Sequence, residues 1–304
     1  MNFTPSFTRY LAAKKTVDDR ALNRNVWDAF CCALPPSTMT QPLRVLEVGA
    51  GIGTMIGRLI ERGALTHAVY TAIDANAENI NELKHRVKPL PNIVVEAESI
   101  DVFDWITRVQ GKREWDILIA HAVLDLFDIP RALPLLLSLL RKGGVLYSTI
   151  VFDGVTIFEP TIDAVFDAEI EQWYHRTMDE RIIDGKPSGD SRTGRHLFRW
   201  FAQAGVEILQ AGSSDWVVYP RGQRYQYDEQ YFLHFIIDTI RSALENHPAL
   251  VSRRERFQSW IATRHQQIEE GTLVYIAHQL DFVGTRHNQM IFPPSIISCG
   301  SIYV

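Results

Sequence analysis

The sequence is poor in cysteine. Of its 304 residues three are cysteines, Cys31, Cys32 and Cys299. Two are adjacent and the third lies near the end, so neither a disulfide framework nor a four-cysteine metal site can be assembled. A reducing compartment follows, and the cytoplasm is the expected location. Long apolar runs are missing too. The longest, Ala132 to Leu140, contains Pro134 and falls far short of the roughly 20 residues a bilayer span needs, so no membrane partner is expected. Residues 1–15 show neither a continuous apolar core nor a small-residue cleavage pattern, and no secretory signal is expected. There is no basic excess: 36 acidic residues outweigh 31 Lys plus Arg for a net charge of −5. A protein that holds a long nucleic acid displays a basic field, because phosphate neutralisation supplies most of that affinity. No nucleic-acid partner is expected here. The histidines form no H-x-H or H-x-x-x-H pair, which leaves no metal site in prospect. Internal repeats and low-complexity linkers are also absent.

What is present is an ordinary globular balance, 46% hydrophobic and 22% charged, which excludes disordered, collagen-like and disulfide-scaffold classes. Length alone suggests two domains. Asp18 and Asp19 read as the start of an N-terminal helix carrying Leu22, Val26, Ala29, Phe30 and Ala33, stopped by Pro35-Pro36. Five apolar strand-like runs follow, at Leu43–Val48, Val69–Ile73, Ile93–Ala97, Ile117–Ala120 and Val145–Val151, with helical segments at 54–62, 77–87, 103–109 and 131–140 between them. Short apolar strands alternating with helices are what a parallel sheet covered on both faces requires, so the fold class is α/β. Beyond the fifth strand the regularity breaks. Val155–Ser191 is acidic and aromatic, 192–205 reads as a helix, and 206–220 as a strand kinked at Gly212-Ser213-Ser214. Residues 228–245 and 250–270 read as amphipathic helices, and 273–283 as a last strand.

The strongest local signal is Glu47-Val48-Gly49-Ala50-Gly51-Ile52-Gly53-Thr54, a strand that runs into three alternating glycines and then a helix. Glycines there allow a tight turn and close approach of a ligand, and the helix N-terminus favours negative charge. About 20 residues on, Asp74 ends the second strand, where a carboxylate accepts hydrogen bonds from ribose hydroxyls. A dinucleotide site wants G-x-G-x-x-G/A. Counting from Gly49 puts Thr54 in the third place, and counting from Gly51 puts Ile56 there, so the dinucleotide match is imperfect.

These residues resemble the class I S-adenosylmethionine-dependent methyltransferases. Glu47, Gly49, Ala50, Gly51 and Gly53 look like that family's E/D-x-G-x-G-x-G loop, which wraps the methionine part of S-adenosylmethionine (SAM). Asp74, with Ala75, resembles the acidic ribose-holding position, and Glu98-Ser99-Ile100-Asp101 the adenine-contacting turn. Trp115 to His121 resembles the fourth-strand motif whose end lines the methyl-transfer site, and Leu139 to Leu146 the glycine turn into strand five. The resemblance covers Val45 to about Asp153. It implies a doubly wound, mostly parallel seven-stranded sheet in the order 3-2-1-4-5-7-6, with SAM as cofactor. Residues 1–40 would form a helical segment over the cofactor, in which Arg20 could pair with the methionine carboxylate. Residues 41–284 would be the methyltransferase domain with lid insertions 155–191 and 221–270, and 285–304 a tail.

Where the acceptor is a hydroxyl or amine, a base helps remove its proton. His121, at the end of the fourth strand, and His175, in the first insertion, are the leading candidates, with His196 and Asp215 behind them. Aromatic residues of the lids, Trp173, Tyr174, Trp216 and Tyr227 among them, could line an apolar or aromatic acceptor pocket. The expected function is methyl transfer from SAM to a small organic acceptor. The rivals are methylation of a protein or RNA, an NAD(P)-dependent dehydrogenase, and a non-catalytic protein that binds a nucleoside cofactor.

Overall fold

The computed structural model describes residues 4–287 except Pro89 and Asp184; Cys299 and nearly all of the expected tail lie outside the described residues. The N-terminal region holds two helices, α1 (Phe7–Ala21) and α2 (Arg24–Ala33). The single helix expected from Asp18 is thereby corrected. Asp18 and Asp19 sit in the last turn of α1, each paired with a lysine one turn earlier, Lys14 and Lys15. Asn23 interrupts the helical path, because its side chain caps α2 by accepting from Asn25 N and Val26 N.

The Rossmann-like core follows as β1 (Leu43–Val48), α3 (Thr54–Glu61), β2 (Ala68–Asp74), α4 (Ala77–Arg86), β3 (Ile93–Ser99), α5 (Val102–Val109), β4 (Trp115–His121), α6 (Ile129–Leu139) and β5 (Leu140–Glu159). After these come α7 (Ala164–Asp179), a small β6–β7 hairpin (Ile182–Ile183, Lys186–Pro187), α8 (Thr193–Gln203), β8 (Val206–Ser213), β9 (Trp216–Val218), α9 (Glu229–Leu244), α10 (Arg254–Glu269) and β10 (Val274–Arg286). The main sheet runs β3-β2-β1-β4-β5-β10-β8, and β9 pairs with β10. The first five strands are parallel, and β10 is antiparallel to its neighbours. This is the expected 3-2-1-4-5-7-6 order with one strand more, because the expected sixth strand is divided at Ser214-Asp215 into β8 and β9.

β5 differs most from expectation. It starts at Leu140 and runs eight residues past Val151 into the supposed insertion. Beyond Thr149, where pairing with β4 ends, it continues for ten residues alongside β10, about 33 Å of extended chain. At the junction Thr149 and Ile150 together oppose Asp281, since Ser148 pairs with Phe282 and Val151 with Leu280. Ile150 takes φ +56° there, costly for a β-branched residue. The buried Asp281 carboxylate holds this β-bulge by accepting from Ile150 N at 2.7 Å, and accepts from Asn23 N at 2.8 Å.

Three apolar cores result. One lies between the sheet and α2, α3 and α4, around Phe30, Met55, Leu59 and Tyr147. A second lies under α5, α6 and α8, around Trp105, Leu136 and Phe201. The third is built by α1, α7, α9 and α10 on the extended part of β5, β9 and β10, around Phe166, Phe232, Trp260 and Tyr275.

Candidate active site

Gly49, Gly51 and Gly53 have φ of +66°, +54° and +79°, a left-handed region that side chains rarely adopt. At Gly49 a Cβ would sit 2.7 Å from Cγ2 of Val123, just past β4, and at Gly51 3.2 Å from Cδ1 of Leu11 on α1. The loop is thus pressed against the β4 turn on one side and roofed by α1 on the other. Asp74 faces it: Oδ2 accepts from Gly51 N at 2.8 Å, and Oδ1 from Asn76 N at 2.8 Å and Asn79 Nδ2 at 3.1 Å. Asn79 is buried, and its Oδ1 has no partner.

Above the loop is a cavity of about 600 Å³ lined by Phe7, Tyr10 and Lys14 of α1, the glycine loop, Asp74 and Asn79, His121, Val123 and Asp125 at the end of β4, Phe152 and Thr156 of β5, Tyr174 and Arg181 at α7, Trp216, Phe235 and Ile236 of α9, Tyr275 and Gln279. This is the size range of small-molecule and cofactor sites. A larger, open groove of about 1300 Å³ between α9 and α10 shares none of these residues and contains no residue of the glycine loop. The cradle that a Cβ would fill, the Asp74 carboxylate and the orphaned Asn79 carbonyl fit an adenosyl cofactor whose amino-acid end lies at the N-terminus of α3.

A buried polar network ties α1 to the end of β4. Asp18 accepts from Lys14 Nζ at 2.8 Å and from Trp216 Nε1 at 2.8 Å, with His121 Nε2 at 3.1 Å. Burial pushes the Asp18 carboxyl up, but Lys14, His121 and Arg58 outweigh it and hold the group well below its usual range. His121 is pushed the other way, below the usual histidine value, because burial outweighs the bond to Asp18. Its Nε2 also lies 3.1 Å from Arg58 Nη1, and its Nδ1 lies 2.8 Å from Thr149 Oγ1. Both ring nitrogens therefore have protein partners.

Of the sequence-derived cofactor residues, Gly49, Ala50, Gly51, Asp74 and His121 line the cavity. Gly53 caps α3 behind the loop. Ala75, Ser99 and Ile100 are next to Asp74 but not among the residues that line the cavity, with Ser99 Oγ donating to Ala75 O and Ile100 N to Asp74 O. Glu98 also does not line the cavity and is held in a bidentate pair with Arg108. Glu47 is fully buried beneath the loop, and Tyr70 OH donates to it at 2.7 Å. Arg20 is not among the residues that line the cavity and pairs with the buried Glu229 of α9.

Among the acceptor candidates, Tyr174 and Trp216 line the cavity. Trp173 stacks on His247 on the far side of α7, and Tyr227 is 81% exposed. His175 stands behind the wall, its Nε2 2.9 Å from Thr156 Oγ1 and its ring against Phe152. His196 pairs with Asp190, and Asp215 with His278. Sequence reasoning missed Lys14, Asp18, Asn79, Asp125, Tyr275 and Gln279 as site residues. Asn79 and Asp125 had an available signal, since each follows the end of a central strand by four or five residues. Among the described residues no cluster of His, Cys, Asp and Glu is arranged to hold a metal ion, and no helix is long and apolar enough to cross a membrane.

The parallel sheet, the glycine cradle and the acidic residue ending β2 define a nucleoside-cofactor enzyme of the Rossmann-like methyltransferase class. A family model described as a methyltransferase domain matches residues 40–205. The chain belongs to that family, and its cofactor is SAM. The dehydrogenase alternative falls with this assignment. Among solved structures the chain is similar to a loganic acid methyltransferase with S-adenosylhomocysteine (SAH), at 12% identity and TM-score 0.57, covering 96% of this chain and 99% of that one. It is also similar to a candidate type II methyltransferase from Anaeromyxobacter dehalogenans, at 17% identity and TM-score 0.50, covering 86% and 96%. These likenesses show the fold. No curated protein matches the chain.

Proposed function

We propose that the protein transfers the methyl group of SAM to a small organic acceptor with an apolar or aromatic body. The observation that carries this reading is the cavity, which joins the glycine loop and Asp74 to a roof built from α1, α7 and α9. A macromolecular acceptor needs an open approach, whereas this roof has its own hydrophobic core and polar anchors. The named acceptor of the loganic acid enzyme is a small molecule, and the shared fold spans the lids as well as the core.

In this reading Asp74 holds the ribose, Ala75, Ser99 and Ile100 flank the adenine, and the glycine loop with the start of α3 receives the methionine end. SAM supplies an electrophilic methyl on a sulfonium. The chain supplies position and dryness: a nucleophile held about 3 Å from the reacting carbon in a water-poor site gains most of its acceleration from orientation. Trp216, Phe152, Phe235 and Ile236 form the apolar walls. His121, with both nitrogens engaged, fixes α1 over the site and is not free to take a proton.

Methyl-labelled SAM offered with small phenols, amines and carboxylates, and separately with a mixed peptide pool and transfer RNA, tests this. Label is expected in a small molecule. Label confined to peptide or RNA would overturn it.

A further inference from the structure

Asp125 stands in the single 3-10 turn Leu124–Leu126 between β4 and α6, two residues from the valine that packs on Gly49. It lines the cavity, and its Oδ1 is fully buried with no hydrogen-bond partner. A buried carboxylate oxygen left without a donor is costly in a folded protein. A second residue of the same cavity repeats the pattern: Gln279 is buried, and its Oε1 also lacks a partner. Both orphaned atoms are hydrogen-bond acceptors, so a group that satisfies Asp125 Oδ1 must bring a donor.

Resting on the methyltransferase reading above, we propose that Asp125 is the proton acceptor of the reaction, and that the acceptor molecule presents a neutral hydroxyl or amine rather than a carboxylate. In the step, a lone pair of the acceptor oxygen or nitrogen forms the new bond to the methyl carbon while the carbon–sulfur bond breaks onto sulfur. The O–H or N–H proton passes to Oδ1 of Asp125. The sulfonium charge and the carboxylate charge disappear together, leaving SAH, the methylated product and a neutral Asp125 that returns its proton to solvent.

The surroundings suit this task. Asp125 is faced by Arg181 at the end of α7, by Lys14 and Tyr10 of α1 and by Tyr174 of α7. Burial raises its carboxyl above the usual value, against the pull of its own backbone N–H and then of Arg181 and Lys14, which makes it a stronger base while these groups keep the ionised form accessible. Arg181 is itself held by Ser188 O and Asp125 O. A carboxylate acceptor placed here would meet a like charge at close range.

The test compares the wild type with Asp125→Asn, which preserves shape. Each is titrated with SAH by calorimetry and assayed with ring-matched phenols, anilines and benzoates. The wild type is expected to use phenols or anilines in preference to benzoates. Asp125→Asn should keep its SAH affinity within about twofold and lose on the order of 10²–10⁴ in kcat, and the acid limb of the wild-type pH profile should vanish from the residual rate. Preference for benzoates, or a kcat within about threefold of wild type, overturns the proposal. If Asp125→Asn does not fold, acceptor preference and the acid limb in the wild type decide. SAH binding without turnover of any acceptor class instead fails the small-acceptor reading on which the proposal rests.

Discussion

Asp74 shows how much a single position can carry. Its carboxylate already accepts three hydrogen bonds from Gly51, Asn76 and Asn79, so it is fixed in place before any ribose arrives. Asp74→Ala is expected to weaken SAH binding by about 1.5–3 kcal/mol, the worth of charge-assisted hydrogen bonds, as read by calorimetry. Affinity equal to the parent's would remove Asp74 from the ribose. Glu47 has a different use. Burial raises its carboxyl to about 8, against the opposing hydrogen bond from Tyr70. The native state therefore holds a proton that the unfolded chain releases near pH 4.5. Stability from this group is complete below about pH 4.5 and is lost as pH rises through about 8. Glu47→Gln should thus be more stable than wild type at pH 9, by roughly 2–4 kcal/mol, with little difference at pH 4.5. Thermal melts at the two pH values check this, and an equal effect at both would contradict it. Gly49, Gly51 and Asp74 were legible in the sequence because each acts within a few residues of its own strand end. Asp125, four residues past the end of β4, carried the same kind of local signal and was overlooked, whereas Tyr275 and Gln279 were not legible, because the pairing of β10 with β5, more than a hundred residues distant in sequence, is what brings them to the cavity.

At the scale of elements, β1 to β4 and the helices between them were readable within a residue or two, since continuous apolar runs bounded by glycine, asparagine and aspartate have few other solutions. The N-terminal helices were not, because the apolar spacing from Leu22 to Ala33 is that of α2 alone. α1 instead buries Ala13 and Val17 in the core it shares with α7, α9 and α10, together with the charged pair Lys14 and Asp18, a face that hydropathy does not reveal. β5 was cut short for a related reason: its outer half from Val155 falls in the acidic, aromatic stretch expected to be a lid insertion, although β10 pairs with it as far as Glu159. Arg20 sits at the end of α1 and is paired with Glu229 of α9, while Arg9 reaches Asp228 next to it. The two contacts clip α1 to α9 across the cavity roof. Arg20→Ala should therefore leave SAH affinity within about twofold and raise the KM for the acceptor. A loss of SAH affinity of tenfold or more would return Arg20 to the methionine carboxylate, where the sequence placed it.

Across the whole molecule, the length that first suggested two domains is distributed as one sheet with three cores. Two cores belong to the cofactor-binding layers, and the third lies where α1, α7, α9 and α10 cover the outer part of β5 and β10. The family model stops at residue 205, so β8 to β10 and the α9–α10 pair lie beyond it, yet β10 occupies the sheet between β5 and β8. The cofactor motif is thus local in sequence, whereas the outer wall of the cavity is assembled by long-range packing that a single sequence does not display. The most direct measurement is a calorimetric titration of the intact chain with SAH and, in parallel, with NAD(P). One-to-one binding of SAH, with no saturable heat from NAD(P), is the predicted result; no response to SAH, or NAD(P) binding of equal strength, would contradict it.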